Sequence, residues 1–353
     1  MKSDIHARDK SGVVLIIVLW ILIILTMLAV GLGRRTGVDA ALTRFQIGRV
    51  KAKYLALSGF MIAREKLVES ELDGDTLYQC GIALEEQETA EDIFKIEQSE
   101  GVAKIIYEQL QDDGTTLERY GLTDEERRVN LNTLTYNNYK ILYYLILQGG
   151  FDTQTAETIA SSLIDWRDAD DNDFNEPYGA EESYYSALEN AYHCKNLSLE
   201  SVEELLMLKD MTPDIFAAIK DFVTVFPAKG AFRINFNTAS QKVLMAFAKS
   251  FLGVRTNAME GDAESLVAKM ITYRQGDDGI EGNEDDRAIV IDELDLTIKE
   301  NTLAILMFAN KQDKSRYFRM KVRGEETRFG AATLLEAIVD RYDGSVVSWR
   351  RIE

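Results

Sequence analysis

Histidine occurs only twice in this 353-residue chain, at His6 and His193, so His-rich metal sites are excluded. Cysteine also occurs twice, at Cys80 and Cys194. Two cysteines that far apart leave a disulfide and a pair of independent thiols equally open. Three prolines, no low-complexity tract and no self-similar period argue against linkers and solenoids. Positive charge is in deficit, with Lys+Arg 40 against Asp+Glu 59 and a net charge of -19. Such a surface repels nucleic acid, which is held largely by Lys and Arg on phosphates. Walker loop, dinucleotide fingerprint and nucleophile elbow are all missing, and His193 beside Cys194 reads as an ordinary loop pair. Catalysis therefore has no support, and the expectation is a non-enzyme.

What the chain does have begins at Lys10-Ser11-Gly12, followed by the apolar run Val13 to Val30. About 18 apolar residues suffice to span a bilayer as a helix, and exceed the roughly 7–15 of a secretory signal. Three readings stay open: a plain signal-anchor, a prepilin-type signal cut before the apolar run, and a cleaved secretory signal. The last would be cut near Ala29-Val30-Gly31, where small residues resemble an A-x-A site. Lys2, Arg8 and Lys10 precede the run, placing the leader in the cytoplasm by the positive-inside rule, although Arg34 and Arg35 follow it. The acidic body then lies outside the inner membrane, in a periplasm-like space.

The hydrophobic fraction of 46% supports a packed core, and the length allows two or more domains beyond the anchor. Val38, Leu42, Phe45, Ile47, Val50, Tyr54, Leu57, Met61, Ile62 and Leu67 recur at helical spacing. They predict one long helix from about Val13 to Glu69, with Gly31, Gly33 and Gly37 as places where it bends or melts. Val102 to Leu110 and Thr115 to Tyr120 read as strands around Asp112-Asp113-Gly114. Helical patterns follow, at 139–147, 153–166, after a capping box at Ser201 to Glu204, after Thr212-Pro213, after Thr238 to Gln241, and at 262–274. Strand signals return at Arg316 to Val322 and Val346 to Ile352, and Ala331 to Tyr342 fits helix or strand. A helical block between strand regions reads as a domain inserted in an α+β host.

The strongest polar constellation is Asp165-Trp166-Arg167-Asp168-Ala169-Asp170-Asp171-Asn172-Asp173, followed by Gly179-Ala180-Glu181-Glu182. Clustered carboxylates repel unless a hard cation neutralises them, and calcium takes six to eight oxygens flexibly. The EF-hand pattern is absent, and a solvated acidic loop is the alternative. A second acidic loop, Gly276 to Asp286, reads as a flexible hydrophilic loop or a further ion site. Ile234-Asn235-Phe236-Asn237-Thr238-Ala239 and Leu131-Asn132-Thr133 look like lead-ins of helix-hairpin-helix units, without the glycine-rich hairpin. Their asparagines fit better as caps and turns. Two alternatives of different class follow: a membrane-tethered helix-hairpin-helix DNA-binding protein, and a signal-anchored periplasmic calcium-binding protein.

The SGVVLIIVLW start, the DWRDADD and GAEESYY segments, EELLMLKDMT and INFNTA, in that order, resemble the general secretion pathway protein K family. Its members are the large minor pseudopilins of type II secretion systems. The resemblance implies a pilin-like α+β fold, a long N-terminal helix on an antiparallel sheet, with a large inserted helical domain. It divides the chain into a leader (1–12), a transmembrane and assembly helix (13–33), a first pilin-like part (34–121), the helical insert (122–273) and a C-terminal pilin-like part (274–353). It implies cleavage by prepilin peptidase after Gly12 and methylation of Val13. It implies calcium, with Asp168, Asp170, Asp171, Asp173, Glu181 and Glu182 as candidate ligands. The implied partners are other minor pseudopilins, the major pseudopilin, prepilin peptidase, the inner membrane and exported proteins, with no nucleic acid. Most pilins carry glutamate at the fifth mature position, here Ile17; a subunit without it is suited to come first, at the tip.

Overall fold

The computed structural model describes residues 11–78, 81–84, 88–110, 116–253 and 256–352. Most of the leader, Cys80 and the Asp112-Asp113-Gly114 turn lie outside the described residues.

Helix α1 (Ser11–Glu69) is one continuous helix of 59 residues. Gly31, Gly33 and Gly37 do not break it. A glycine costs a helix only about 1 kcal/mol, and the i to i−4 ladder needs no side chain. None of its most apolar 18-residue window is buried among the described residues. From Gly48 onward the helix meets the body along Ala52, Ala56, Ala63 and Leu67, a stripe at helical spacing whose small residues let a sheet come close.

After α2 (Ala90–Phe94) come β1 (Lys95–Gln98), β2 (Gly101–Leu110), β3 (Thr116–Tyr120) and β4 (Thr123–Asp124). The chain then builds β5 (Val129–Asn130), α3 (Lys140–Gln148), α4 (Thr153–Asp165), α5 (Glu182–Tyr185), α6 (Pro213–Ile219) and β6 (Val223–Thr224). Next are β7 (Ile234–Asn235), α7 (Gln241–Lys249), α8 (Glu260–Arg274), α9 (Ile298–Phe308) and β8 (Lys311–Gln312). It returns through β9 (Tyr317–Glu326), β10 (Ala332–Asp340) and β11 (Val346–Ile352). The main sheet has the order β1-β2-β9-β10-β11, with β3 on β2 and β4 on β9, every pair antiparallel.

The alternation in β9 shows why this sheet forms. Phe318, Met320 and Val322 turn into the core under α1. Arg319, Lys321 and Arg323 turn outward onto Glu336, Glu108 and Glu118. The ambiguous segment 331–342 is strand, because it pairs with β9 over nine residues.

The helical domain has its own core, running from Val129 to Met307. Leu303, Ala304 and Met307 of α9 share it with Leu266 and Met270 of α8. The insert boundary placed at 273 therefore falls inside α8, and the helical domain continues to Gln312. The Thr238–Gln241 capping box also differs: Ser240 caps α7 by accepting from Val243 N, while the buried Thr238 hydroxyl turns to Asp124.

This domain is built twice, which the absence of a sequence period did not show. Asn130 Oδ1 accepts from Asn132 N at 2.9 Å, and Asn235 Oδ1 from Asn237 N at 3.1 Å. Two helices follow each turn, α3 and α4 or α7 and α8. At their end an arginine reaches back to the opening turn: Arg167 donates to Leu131 O and Leu134 O, Arg274 to Phe236 O and Ala239 O. Parallel strand pairs, β5 with β6 and β7 with β8, close the halves. Of the side chains, the turn asparagine and the arginine recur, and α4 has 13 residues against 15 in α8. The repeat therefore has no fixed spacing to detect.

Candidate functional site

Helix α4 ends on Asp165, and Asp168 follows one turn later on the same face. The chain loops out and returns so that Glu181 stands at the start of α5. One carboxylate oxygen from each of Asp165, Asp168 and Glu181 lies within 4.8 Å of the others. Asp165 and Glu181 are 0% and 1% exposed. Asp165 accepts from Phe174 N at 2.8 Å and from Ala180 N at 2.6 Å. Asp168 Oδ1 and both oxygens of Glu181 are buried without a hydrogen-bond partner among the described residues. Burial, with neighbouring like charges, pushes Asp165 up to about 7 and Glu181 up to about 8, and raises Asp168. Three converging carboxylates, two of them with unpartnered oxygens, fit a hard, oxygen-seeking divalent cation. Soft metals fit poorly, because burial holds the nearby Cys194 thiol up at about 11 and its Sγ donates to Asp165 O at 3.6 Å. Gly179 makes the fold of the loop possible: a Cβ there would run into Asp165 Oδ2 and stand 2.5 Å from Phe174 O.

Of the six candidate ligands named from sequence, Asp168 and Glu181 reach this cluster. Asp170 is exposed and accepts from Asn172 N and Nδ2. Asp171 and Asp173 are exposed. Glu182 turns away to His193 Nδ1 at 2.7 Å and Cys194 N at 2.8 Å. Asp165 was not among the candidates, although its i,i+3 relation to Asp168 inside the quoted motif was the available signal.

The second acidic loop closes on itself. Arg274, the counterpart of Arg167, pairs with Glu281 at 2.6 Å. Asp285 Oδ2 accepts from Asp277 N at 2.6 Å, and Asp286 from Gly282 N at 3.0 Å and Tyr78 N at 3.1 Å. In the first half, Arg167 spends its guanidinium on two carbonyls and leaves the carboxylates without a cation. The asparagine motifs serve as turns: Asn130, Asn235 and Asn237 are buried, out of reach of any nucleic acid.

At the other end of the molecule, Gly12 and Val13 lie in the first turn of α1. A Cβ on Gly12 would meet nothing within 4 Å. Val13 and Ile17 are 59% and 52% exposed, on a helix face that nothing among the described residues covers.

The family described as type II secretion system (T2SS), protein K, matches residues 127–228, the first half of the helical domain. The type II secretion system protein K of Pseudomonas aeruginosa is 31% identical over 245 residues, 68% of this chain and 68% of that protein. That of Pectobacterium carotovorum subsp. carotovorum is 26% identical over 234 residues, 66% of this chain and 67% of that protein. Among solved structures, a chain of the GspK-GspI-GspJ complex from the enterotoxigenic Escherichia coli type 2 secretion system shares the fold. Its TM-score is 0.61 at 19% identity, covering 88% of this chain and 99% of that one. Identity of this order across two thirds of both chains, on a shared fold, means that the chain belongs to the type II secretion system protein K family.

Proposed function

We propose that this protein is a non-enzymatic minor pseudopilin that sits at the tip of a periplasmic pseudopilus and helps to start its assembly for protein export across the outer membrane. The observation that carries the reading is α1: an apolar half with no cover among the described residues, continuous with a half that packs on the sheet. Lipid satisfies that apolar half first, and apolar helices of neighbouring subunits replace the lipid on assembly. The helical domain is too bulky to repeat along a fibre, which favours the end position. Ile17 adds to this, because it brings no carboxylate that an earlier subunit's amine would have to neutralise.

Prepilin peptidase would cut after Gly12 and leave a methylated Val13, with the anchor in the inner membrane and the body in the periplasm. Other minor pseudopilins and the major pseudopilin are the partners; the relative solved as a GspK-GspI-GspJ complex supports the former. Asp165, Asp168 and Glu181 would hold calcium, whose two positive charges offset the burial of their carboxylates and tie the 168–181 loop to the end of α4.

Mass analysis of the N-terminus from membranes tests the reading. A methylated Val13 is the expected result. An intact Met1 would instead support a plain anchor, and a start near Gly31 a cleaved secretory signal; either outcome removes the pseudopilin mechanism.

A further inference from the structure

The segment Thr123-Asp124-Glu125-Glu126 has the composition of a solvated acidic turn, yet all three of its carboxylates are buried. It lies where the chain crosses from the pilin sheet into the helical domain, next to the return crossing at residues 312–316. The cores of the two domains are separate clusters, so apolar contact does not by itself lock one to the other. The hydrogen bonds at the crossings do. Asp124 Oδ2 accepts from Thr238 Oγ1 at 2.6 Å and Asn235 Nδ2 at 3.1 Å in the second half of the helical domain, and from Ser315 Oγ at 2.7 Å on the return crossing. Glu125 Oε2 accepts from Thr224 Oγ1 at 2.7 Å in the first half, while its other oxygen takes Arg319 of β9 at 2.6 Å and Arg128 at 2.9 Å. Glu126 accepts from Gln312 Nε2 at 2.8 Å and from Arg316 N. Thr224 and Gln312 are equivalent positions in the two halves, the second residues of β6 and β8, so consecutive carboxylates read one half each. Ser315 also donates its N–H to Asp75 at 2.7 Å, and Asp75 is held by the guanidinium of Arg341.

We infer that Asp124, Glu125 and Glu126 form a clamp that fixes the helical domain to the pilin sheet in one orientation, so that the body moves as a single rigid unit instead of hinging at its two crossings. Each carboxylate takes at least one donor from the helical domain and another from the return crossing or β9, and each donor has one direction. A sliding apolar interface would not impose that geometry, whereas directional hydrogen bonds to all three buried carboxylates do. The inference concerns the body alone and does not depend on where the protein sits in a fibre.

Hydrogen exchange and calorimetry on the full chain in detergent test it. Asp124→Ala is expected to speed exchange roughly tenfold or more at residues 122–128 and 312–316, where bonds to a charged acceptor are lost. Protection in α3, α4, α7, α8, β2 and β9 is expected to stay, and one unfolding transition to split into two. Thr238→Val and Asn235→Ala remove single donors and carry the test if Asp124→Ala fails to fold. They are expected to give the same local pattern at smaller amplitude. Unchanged exchange at the crossings would overturn the clamp. So would a uniform loss of protection through both domains with one transition, because that is ordinary destabilisation.

Discussion

Gly324 of β9 lies against Ala52 of α1 so closely that a Cβ on the glycine would run into the Ala52 carbonyl oxygen and stand 2.6 Å from Ala56 N. Nothing but hydrogen fits between the strand and the helix here. Gly59, on the same face of α1 two turns beyond Ala52, would place a Cβ 2.7 Å from that of Ala103. Gly324→Ala is therefore expected to destabilise the pilin-like half by about 1–3 kcal/mol or more, because it pushes on backbone that cannot yield. A thermal melt checks it, and Gly59→Ala, which meets a side chain, is expected to cost less.

Calcium is expected to raise the melting temperature, by about 2.7 kcal/mol of stabilisation at a hundred times its dissociation constant. Terbium in the same place is expected to be sensitised by Trp166, the neighbour of Asp165, which stacks edge-on to Tyr185 at 5.0 Å. Glu181→Gln and Gly179→Ala are expected to abolish both effects, the first by removing a ligand charge and the second by blocking the turn at Asp165. Calorimetry with no saturable calcium binding would remove the site.

The junction carboxylates predict a pH dependence opposite to the usual acid sensitivity. Burial pushes Asp124 up to about 6 and Glu126 up to about 7. Free carboxyls titrate near 4, so between those values the folded chain holds protons that the unfolded chain has released. Their contribution is full below about pH 4 and is lost as pH rises through about 6 to 7. Glu126→Gln does not titrate, so its stability relative to the parent is expected to improve as pH rises from 4 to 8, by up to about 3 kcal/mol. Paired melts across that range, in one buffer and at one calcium level, measure the difference.

Glu125 behaves the other way. Arg128 and Arg319 overcome its desolvation and hold it down at about 2. Its contribution is present above pH 4 and is lost only as pH falls toward 2. Arg319→Met is expected to destabilise by roughly 3–5 kcal/mol, because it leaves a buried carboxylate with half its compensation. A denaturant midpoint at pH 7 reads this directly.

Ile17→Glu tests the tip position. The added carboxylate needs a neighbour's amine in lipid, so the variant is expected to start assembly less efficiently and to lower secretion. Unchanged secretion with the protein still at the tip would show that the missing charge is not what places it there.

Local pattern made much of this molecule readable in advance. The uncharged run from Val13, the helical recurrence to Leu67 and the alternation in Arg316 to Val322 each report the period of one element. They therefore predicted α1 and β9 to within a few residues. Segment 331–342 stayed ambiguous because residues 337–340 are all buried, so the apolar run Ala337-Ile338-Val339 does not alternate. The DWRDADD motif pointed to the right loop, but not to the right ligands. Exposed Asp170, Asp171 and Asp173 are indistinguishable in sequence from Asp165, which the end of α4 turns inward.

The sequence by itself determined the long apolar N-terminal helix, the two strand regions and the acidic loop, because each follows from neighbouring residues and the periods of helix and strand. Tertiary structure alone decided which carboxylates meet, that α9 belongs to the helical domain, and that this domain is built twice. It also decided that Asp124, Glu125 and Glu126 are buried at a junction. The junction rests on partners about a hundred or more residues away, such as Thr238 for Asp124 and Arg319 for Glu125. Burial and pairing across such distances leave no mark in the local spacing of residue types.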